Sequence, residues 1–400
     1  MPLSDVRVID CGQIIAGPLC ATFLADLGAD VVKVEPPDGE TYRTDRRELN
    51  GEPFNPPFEL YNRNKRSLSL DLKREEGQEA LRDLAEAADI FVQNWPPGVA
   101  ERLGVDYETL RERNPDLVYV HITGYGETGP RARDAGMDAI AQHVTGFASL
   151  NGYPDDDRPP IRAQASLADY FAGYSAALSA MGALRAVDHG EAGQKVDVSL
   201  LESLAHNMDG AYEYTQNLGE ELQPGGAGTF SVPEMLYGAA EAADGYVCVA
   251  LLLYSERIWT GMCELLDRPD LLADERYETG PGRMADAEQL TDIFRDWLAD
   301  VPVDEAVERL GEHNIPASES NSVAEAAQLE QYAARGTFVT VEHDRYGDLT
   351  LTDTPLDLSR DDVGIRRVAP ELGEHSHEVL AEQLGEERAS DLVEDGVAHD

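Results

Sequence analysis

VRVIDCGQIIAGPLCATFLADLGADVVKVE, residues 6–35, contains two short apolar runs on either side of a helical segment. Residues 6–10 and 30–35 are rich in β-branched side chains, which predicts strands. Between them we expect a helix from Pro18 to Leu27, with proline at its first position and a glycine just past its end. A strand, a helix and a second strand at this spacing predict a βαβ unit with a right-handed parallel crossover.

The same alternation continues along the chain. Further strands are expected near 67–71, 89–93, 116–122 and 195–199, and helices near 75–88, 97–113, 169–184 and up to about 216. Alternation of this kind predicts an α/β fold with a doubly wound, Rossmann-like, mostly parallel sheet. In such a sheet the ligand site lies beyond the carboxyl ends of the strands.

The glycine-rich segment Gln223–Gly228 interrupts the pattern and predicts a domain boundary. The expected domains are a large Rossmann-like one (1–205 and 345–400) and a smaller α+β one (225–325), with linkers at 206–224 and 326–344. Hairpins are expected over 235–253 and 338–352, and a C-terminal helix after Gly373.

The chain is strongly acidic, with 77 acidic against 32 basic residues and a formal charge of −45. Acidic tails are the usual explanation, but here the acids are scattered through core-forming sequence. A salt-rich cytoplasm explains the charge better, because molar salt reduces the Debye length to about 3 Å. We therefore expect a cytoplasmic halophile enzyme. The charge argues against nucleic acid or an anionic membrane as a partner.

The cysteines have no CxxC spacing and predict buried free thiols rather than a disulfide or zinc site. They are Cys11, Cys20, Cys248 and Cys263. His375 and His377 lack accompanying cysteine or carboxylate ligands, so no metal is expected.

Three loops are expected at the carboxyl edge of the sheet. Gly12–Pro18 lacks GxGxxG, so NAD binding is disfavoured, although Glu35 sits where a dinucleotide fold keeps its ribose acid. Asn62–Ser67 is basic, and either an anion site or a solvated turn fits it. Gly124–Pro130 can expose backbone amides to a ligand, although an ordinary turn is equally compatible.

Asp169 begins a predicted helix rich in small residues, which would let another backbone approach closely. A carboxylate in this position has two readings. It can serve chemistry at a helix N-terminus, or it can cap the helix through the Ser166–Asp169 capping-box pattern. The local sequence favours capping.

Several collinear motifs together resemble the family III CoA transferases, also called the CaiB/BaiF family. They cover nearly the whole chain and are residues 16–18 (AGP), 27–36 (LGADVVKVEP), 62–67 (NRNKRS), 93–98 (QNWPPG), 124–130 (GYGETGP), the Asp169 helix, 193–197 (GQKVD) and 369–375 (APELGEH).

This resemblance implies that Asp169 is the nucleophile. It would attack an acyl-CoA thioester, form a mixed anhydride and then an aspartyl-CoA thioester, and pass CoA to an acceptor acid. The partners implied are acyl-CoA and small carboxylic acids, with a CoA thioester as substrate and no tightly bound cofactor. An interlocked-ring homodimer is also implied.

The resemblance further implies CoA contacts at Lys65, Asn94 and Arg102, and a substrate-side position at Tyr125. A flexible glycine loop would include Gly225, Gly226 and Gly228. The remaining substrate and CoA-binding candidates are Gln13, Ile15, Ala16 and Glu127.

Two departures from the family pattern bear on the reaction. Met137 stands where the family's racemases carry a histidine base, and a thioether cannot take an α-proton. Ile15 stands where formyl-CoA transferase has glutamine, which argues against formate or oxalate. Arg43, Arg46 and Arg47 suggest a dicarboxylic acyl group such as succinyl or mesaconyl. Ordinary surface arginines are the alternative, and an acyl-CoA racemase or a non-catalytic CoA-binding module are the alternative functions.

Overall fold

The computed structural model describes residues 1–44, 47–153, 157–226, 228–229 and 235–399. The chain forms two compact units. The first comprises Met1–Thr145, Gln164–Asn207 and Glu330–Asp400, and the second comprises Gly146–Ala163 and Met208–Leu329.

The strands are β1 (Arg7–Cys11), β2 (Asp30–Glu35), β3 (Glu48–Leu49), β4 (Glu52–Pro53), β5 (Lys65–Leu70), β6 (Ile90–Gln93), β7 (Val118–Thr123), β8 (Lys195–Ser199), β9 (Tyr237–Glu241), β10 (Tyr246–Ala250), β11 (Ala317–Glu319), β12 (Phe338–His343), β13 (Gly347–Thr352) and β14 (Ala398–His399).

The α-helices are α1 (Ala16–Asp26), α2 (Pro56–Asn62), α3 (Glu75–Glu86), α4 (Val99–Leu103), α5 (Tyr107–Arg113), α6 (Asp138–Val144), α7 (Phe147–Leu150), α8 (Leu167–Asp188), α9 (Leu200–His206), α10 (Ala211–Glu213), α11 (Glu256–Leu265), α12 (Pro269–Leu272), α13 (Gly280–Ala285), α14 (Ala287–Leu298), α15 (Val303–Glu312), α16 (Val323–Ala326), α17 (Glu330–Arg335), α18 (Ser376–Leu384) and α19 (Glu386–Glu394).

The first unit is built on a seven-stranded sheet of order β14-β5-β2-β1-β6-β7-β8. All neighbouring strands are parallel except β14, which pairs antiparallel with β5. The predicted mostly parallel α/β sheet is thus confirmed. The chain passes from β1 outward to β2 on one side and returns to β6 on the other. The carboxyl ends of β1 and β6 therefore form a topological switch point, where ligands bind in such sheets.

Apolar residues from both faces of this sheet are buried, as expected for parallel strands covered by helices. One core cluster joins Ile9, Leu68 and Phe91 of the sheet to Leu81 of α3 and Leu392 of α19. This packing fixes the strand ends and therefore the loops that follow them.

The second unit contains a three-stranded antiparallel sheet of order β11-β10-β9. Its core is made by Val247 from the sheet, Trp259 of α11, Phe294 of α14 and Leu310 of α15. Helices and an antiparallel sheet around one core make this unit α+β in composition.

Several sequence predictions about elements were wrong. Helix α1 begins at Ala16, not Pro18, because the Ile15 carbonyl already accepts a helical bond from the Leu19 amide at 2.8 Å. The antiparallel edge strand β14 was missed because two residues carry no periodic signal. Cys248 is exposed, not buried, because its neighbours Val247 and Val249 occupy the buried side of β10.

The expected position of Asn62–Ser67 was also wrong. This segment leads into β5 and contains its first three residues, and Lys65 pairs in register with Val31 near the start of β2. Its backbone therefore lies at the amino edge of the sheet, away from the ends of the strands.

Among the helices that the structure describes, none combines the length and apolar character needed to cross a bilayer.

Candidate active site

The loop Gly12–Pro18 after β1 is held by the residue that follows β6. Asn94 Nδ2 donates to the Gln13 carbonyl oxygen at 2.9 Å, and Asn94 Oδ1 accepts from the Gln13 amide at 2.8 Å. Within β1, Asp10 Oδ1 accepts from the Gly12 amide at 2.8 Å. The predicted ligand residues Gln13 and Asn94 therefore meet at the switch point, where their hydrogen bonds shape the loop.

A buried ion pair holds the same loop from the β2 side. Glu40 Oε2 accepts from the Ile14 amide at 2.7 Å, and Glu40 Oε1 lies 2.9 Å from Lys33 Nζ. Lys33 also donates to the Gly12 carbonyl at 3.1 Å. Burial lowers the pKa of Lys33, but the carboxylates led by Glu40 outweigh burial and raise it above its usual value. Lys33 is therefore charged at neutral pH.

Lys65 lies beneath this loop with its side chain fully buried. Its ammonium donates to Asp10 Oδ2 at 2.8 Å, to the Pro18 and Tyr61 carbonyls at 2.9 and 2.8 Å, and to Asn62 Oδ1 at 3.1 Å. Burial lowers its pKa to about 8, although Asp10 opposes the shift. Lys65 thus stabilises the loop through the hydrogen bonds of its ammonium to Asp10 and the Pro18 carbonyl, and it is not accessible to a ligand.

Arg63 and Arg66 are also engaged within the protein. Arg63 pairs with Asp26 at 2.6 Å, and Arg66 pairs with Asp30 at 2.7 Å. The Asn62–Ser67 segment is therefore neither an open anion site nor a solvated turn. Lysine and arginine partners supplied by distant strands could not be read from local sequence.

The start of α1 offers unused donors. Among the described residues, the amides of Ile15, Ala16 and Gly17 have no hydrogen-bond acceptor. First-turn amides of a helix lack intrahelical partners and favour negative charge. Two of the sequence-predicted contacts, Ile15 and Ala16, therefore present donors at the switch point.

Helix α8 brings Asp169 to this place. Asp169 is the third residue of the helix, and the small residue Gly173, one turn on, packs against Ala16: a Cβ built there would lie 3.1 Å from the Ala16 carbonyl. The Ser166 side chain makes no capping bond, so the capping-box reading was wrong. The half-buried Asp169 carboxylate has no hydrogen bond or ion pair with any residue in the described ranges.

The Asp169 carboxylate is unusually basic. Burial, and then the charge of Asp138, raise its pKa from 3.8 to about 7. Asp138 is itself buried, accepting from the Ala168 amide at 2.9 Å and from Gln142 Nε2 at 2.8 Å. At neutral pH the nucleophile candidate is therefore poised between its two protonation states.

Three tyrosines that the sequence analysis missed are connected with Asp169: Tyr170 follows it in the chain, and the charge of Asp169 acts on Tyr42 and Tyr61. Tyr170 and Tyr61 share a hydrogen bond of 2.5 Å between their hydroxyls. Burial foremost, with the Asp169 charge as a further cause, raises the pKa of Tyr42 and of Tyr61. Tyr42 and Tyr61 are far from Asp169 along the chain, and no periodic signal connects them with it.

A cavity of about 700 Å³ opens beyond the ends of β6 and β7. His121, Glu127 and Lys195 line it, with Tyr107 and Arg133. Glu127 accepts from His121 Nδ1 at 2.6 Å and pairs with Lys195. These bonds, His121 first, lower the pKa of Glu127 to about 2, although burial opposes the shift. The sequence pointed to Glu127 but not to the groups that hold it.

The arginines proposed for an acyl carboxylate have different surroundings. Arg43 forms a bidentate pair with Glu35, at 2.7 Å from Nε and 2.6 Å from Nη2, so its guanidinium is already occupied. Arg47 is exposed, and Arg46 lies outside the described residues. Arg102 is exposed and donates to the Gly98 carbonyl at 2.8 Å, beside the cavity.

The other predicted positions are dispersed. Tyr125 accepts from Arg131 Nη2 at 2.6 Å, and the guanidinium lies 4.1 Å from its ring centre. Met137 immediately precedes α6 and is 62% exposed. The glycines proposed as a flexible loop belong to the second unit, where the Gly226 amide donates to the Gly152 carbonyl at 3.0 Å. They are Gly225, Gly226 and Gly228.

Across the described residues, no group of three or more His, Cys, Asp or Glu side chains is placed to hold a metal ion. The site instead offers backbone amides and phenols as hydrogen-bond donors and one uncommitted carboxylate as a nucleophile. These groups suit acyl-group chemistry.

Comparison with known proteins agrees with this chemistry. Residues 3–376 match the model of "CoA-transferase family III". A succinyl-CoA:mesaconate CoA-transferase from Haloarcula hispanica is 34% identical over 392 residues, covering 95% of this chain and 96% of its own. A succinyl-CoA–D-citramalate CoA-transferase from Chloroflexus aurantiacus is 31% identical, covering 99% and 96%. The crystal structure of a CAIB/BAIF family protein from Brucella suis superposes with a TM-score of 0.81 at 31% identity, covering 96% and 99%.

Proposed function

The chain belongs to CoA-transferase family III, and from this membership we propose that it moves CoA from succinyl-CoA to mesaconate through covalent intermediates on Asp169. The enzyme acts on acyl-CoA thioesters and carboxylic acids, as its relatives do. The observation that carries the proposal is a half-buried, uncommitted carboxylate with a pKa of about 7 on α8, a helix that packs through Gly173 against the start of α1, where the first amides are free.

The reaction consists of four acyl substitutions. An Asp169 oxygen attacks the thioester carbonyl and expels CoA thiolate, leaving a mixed anhydride. The thiolate attacks the aspartyl carbonyl, so the donor acid leaves and an aspartyl-CoA thioester forms. The acceptor carboxylate then displaces the thiolate to form a second anhydride. The thiolate finally attacks the acceptor's carbonyl and restores Asp169. Each covalent step lets one carboxylate replace another.

Each substitution passes through a tetrahedral oxyanion. We assign its stabilisation to the amides of Ile15 and Ala16, because they are free donors and Ala16 packs against α8 one turn from Asp169. Donors of this kind are worth about 2.7–4 kcal/mol each in other acyl-transfer enzymes.

The cavity beyond β6 and β7 is the proposed site for the nucleotide end of CoA. Arg133 lines it together with Lys195, which pairs with Glu127, and Arg102 lies at the neighbouring turn; Glu101, Asp106 and Glu108 also line the cavity. In this proposal Asn94 and Lys65 act by shaping the Gly12–Pro18 loop rather than as direct ligands. Tyr125 and Glu127 form the adjoining wall. The enzyme has no tightly bound cofactor in this proposal.

Succinyl-CoA as donor is supported by the names of both relatives, whose acceptors differ. Arg46 and Arg47 stay proposed for the distal carboxylate because guanidinium groups pair with carboxylates in bidentate geometry, whereas Arg43 pairs with Glu35. An acyl-CoA racemase is the second candidate. It is disfavoured because Met137 offers no base for the α-proton.

The assembly proposed from the family is an interlocked homodimer with linkers at 206–224 and 326–344. Tyr174 and Leu178 on α8 are 45% and 69% exposed, which supports a partner covering this helix. Gly225, Gly226 and Gly228 stay proposed, from the family resemblance, as a flexible glycine loop. A cytoplasmic location stays a prediction.

Incubation with succinyl-CoA and isotopically labelled mesaconate at high KCl tests the function. Label should enter the CoA pool, and mass spectrometry of the quenched enzyme should place the adduct on Asp169. Asp169→Asn should abolish exchange while CoA still binds. Deuterium uptake at the α-carbon without exchange would favour racemisation, and an adduct on another residue would contradict the mechanism.

A further inference from the structure

The Gly12–Pro18 loop has a strained conformation. Ile14 has a φ of 67°, in the left-handed region that β-branched residues avoid at a cost of order 1–3 kcal/mol. Its side chain is 37% exposed, so apolar burial does little to compensate. Strain of this kind persists only where surrounding interactions hold the backbone.

The interaction that holds Ile14 is the carboxylate of Glu40. One oxygen accepts from the Ile14 amide at 2.7 Å, and the other lies 2.9 Å from Lys33 Nζ. Glu40 is 5% exposed, and its own amide donates to Glu35 Oε1 at 3.1 Å. One carboxylate oxygen therefore accepts a hydrogen bond from Ile14, and the other is held by the ion pair with Lys33 without hydrogen-bond geometry.

The consequence lies in the next residues of the chain. Hydrogen bonds within the protein use the backbone amides and carbonyls of Gly12 and Gln13 and the backbone amide of Ile14. The amides of the next two residues, Ile15 and Ala16, have no acceptor among the described residues. The left-handed turn at Ile14 separates the anchored part of the loop from these free donors.

We propose that Glu40, held by Lys33, is a positioning residue of the transfer reaction, because it locks Ile14 and thereby aims the Ile15 and Ala16 amides at the acyl group on Asp169. This inference rests on the proposed function. Glu40 does not touch substrate, so its loss should affect kcat much more than the binding of acyl-CoA.

Glu40→Gln tests this directly. Glutamine has one acceptor oxygen, so either Ile14 or Lys33 loses its partner. We expect kcat for CoA exchange to fall about 10- to 100-fold, the range that a displacement of about 1 Å can cause. The KM for acyl-CoA should stay within about 2-fold of wild type, since the binding cavity is unchanged.

Glu59→Gln is the matched control. Glu59 is a carboxylate of the same unit, 4% exposed, whose ion pair is with His343 at 3.6 Å, and its variant should keep kcat within about 2-fold. Glu40→Asp keeps both acceptor oxygens on a shorter side chain. It should recover part of the lost rate, and it decides the question if Glu40→Gln does not fold.

The outcomes distinguish the role of Glu40 from the proposed CoA-transfer function. A folded Glu40→Gln enzyme with wild-type kcat, or an equal loss in Glu59→Gln, overturns the role of Glu40. A rate loss in Glu40→Asp as large as in Glu40→Gln also overturns it. A wild-type enzyme that exchanges no CoA with any acid contradicts the proposed function instead.

Discussion

Asp169 behaves differently from a helix-capping aspartate. A cap accepts a backbone hydrogen bond, which lowers the pKa of a carboxylate and stabilises the fold. Asp169 accepts no bond from a described residue, and burial and Asp138 raise its pKa to about 7. The same environment that makes it a basic nucleophile therefore makes its ionised form costly to the folded state.

The pH dependence of turnover should report this residue. Only the ionised carboxylate attacks a thioester, so kcat/KM should fall as the pH drops through about 7. Asp138→Asn removes a neighbouring negative charge and should move this fall to lower pH. Rate profiles from pH 5 to 9 measure both effects.

Glu59→Gln separates Asp169 from another carboxylate that titrates in this range, because burial also raises the pKa of Glu59 to about 7. Its profile should match that of wild type. A flat wild-type profile, or a midpoint that Asp138→Asn leaves in place, would count against Asp169 as the titrating nucleophile.

The pH dependence of protein stability should have the opposite sign to that produced by a helix-capping aspartate. The folded pKa of Asp169 lies above its unfolded value of 3.8. Protonation of Asp169 therefore contributes fully to the free energy of unfolding below about pH 4, and this contribution is lost as the pH rises through about 7. Asp169→Asn should therefore be more stable than wild type at pH 8, by about 2–4 kcal/mol on the scale of roughly 1.4 kcal/mol per pKa unit. Urea unfolding at pH 4 and pH 8 measures this. A variant less stable than wild type at pH 8 would restore the capping interpretation.

At the scale of elements, the conformation of the Gly12–Pro18 loop depends on the close approach of α1 to Gly12. A Cβ built on Gly17 would lie 2.8 Å from Gly12 Cα, a backbone atom that cannot move aside alone. Small residues were expected in α8 for a similar reason. Gly173 does meet α1, whereas a Cβ on Gly182 meets nothing within 4 Å.

Gly17→Ala should destabilise the protein by about 1–3 kcal/mol, the usual cost of overpacking, and lower kcat by displacing the loop. Gly311→Ala in α15, where an added Cβ meets nothing within 4 Å, is its control and should stabilise by about 0.5–1 kcal/mol through helix propensity. Urea unfolding at constant KCl gives both values. Equal effects of the two substitutions would mean that the loop contact is unimportant.

At the scale of the whole molecule, two kinds of ion pair must be distinguished. Surface pairs such as Arg113–Glu79 are exposed to solvent and weaken as salt screens them. Buried pairs such as Lys65–Asp10 are shielded from salt. High salt therefore relieves the repulsion of the −45 net charge without loosening the framework of the site.

The thermal unfolding midpoint should rise steeply between 0.2 and 3 M KCl, because the Debye length falls to about 3 Å at 1 M. Sucrose, which favours burial but screens no charge, is the control and should stabilise much less. Calorimetry at matched protein concentration measures both. A midpoint independent of KCl would refute salt adaptation.

Much of the fold followed from periodicity alone. The strands at 30–35 and 195–199 were predicted with the bounds observed, and their alternation with helices was enough for a parallel sheet. Chain order also placed the loop Gly12–Pro18 at the carboxyl edge, whereas Asn94 was proposed only from the family resemblance. The failures were short or local: a two-residue edge strand, the start of α1, and the orientation of Cys248.

The sequence by itself determined the family resemblance and the choice of Asp169 as the candidate nucleophile, because motifs in a fixed order can be recognised without a structure. Which cations are available to a ligand was decided only by tertiary structure, since Lys65 is neutralised by Asp10, 55 positions earlier. The basicity of Asp169 also arises in three dimensions. It requires the burial of a carboxylate beside Asp138, and both effects depend on distances that no linear spacing encodes.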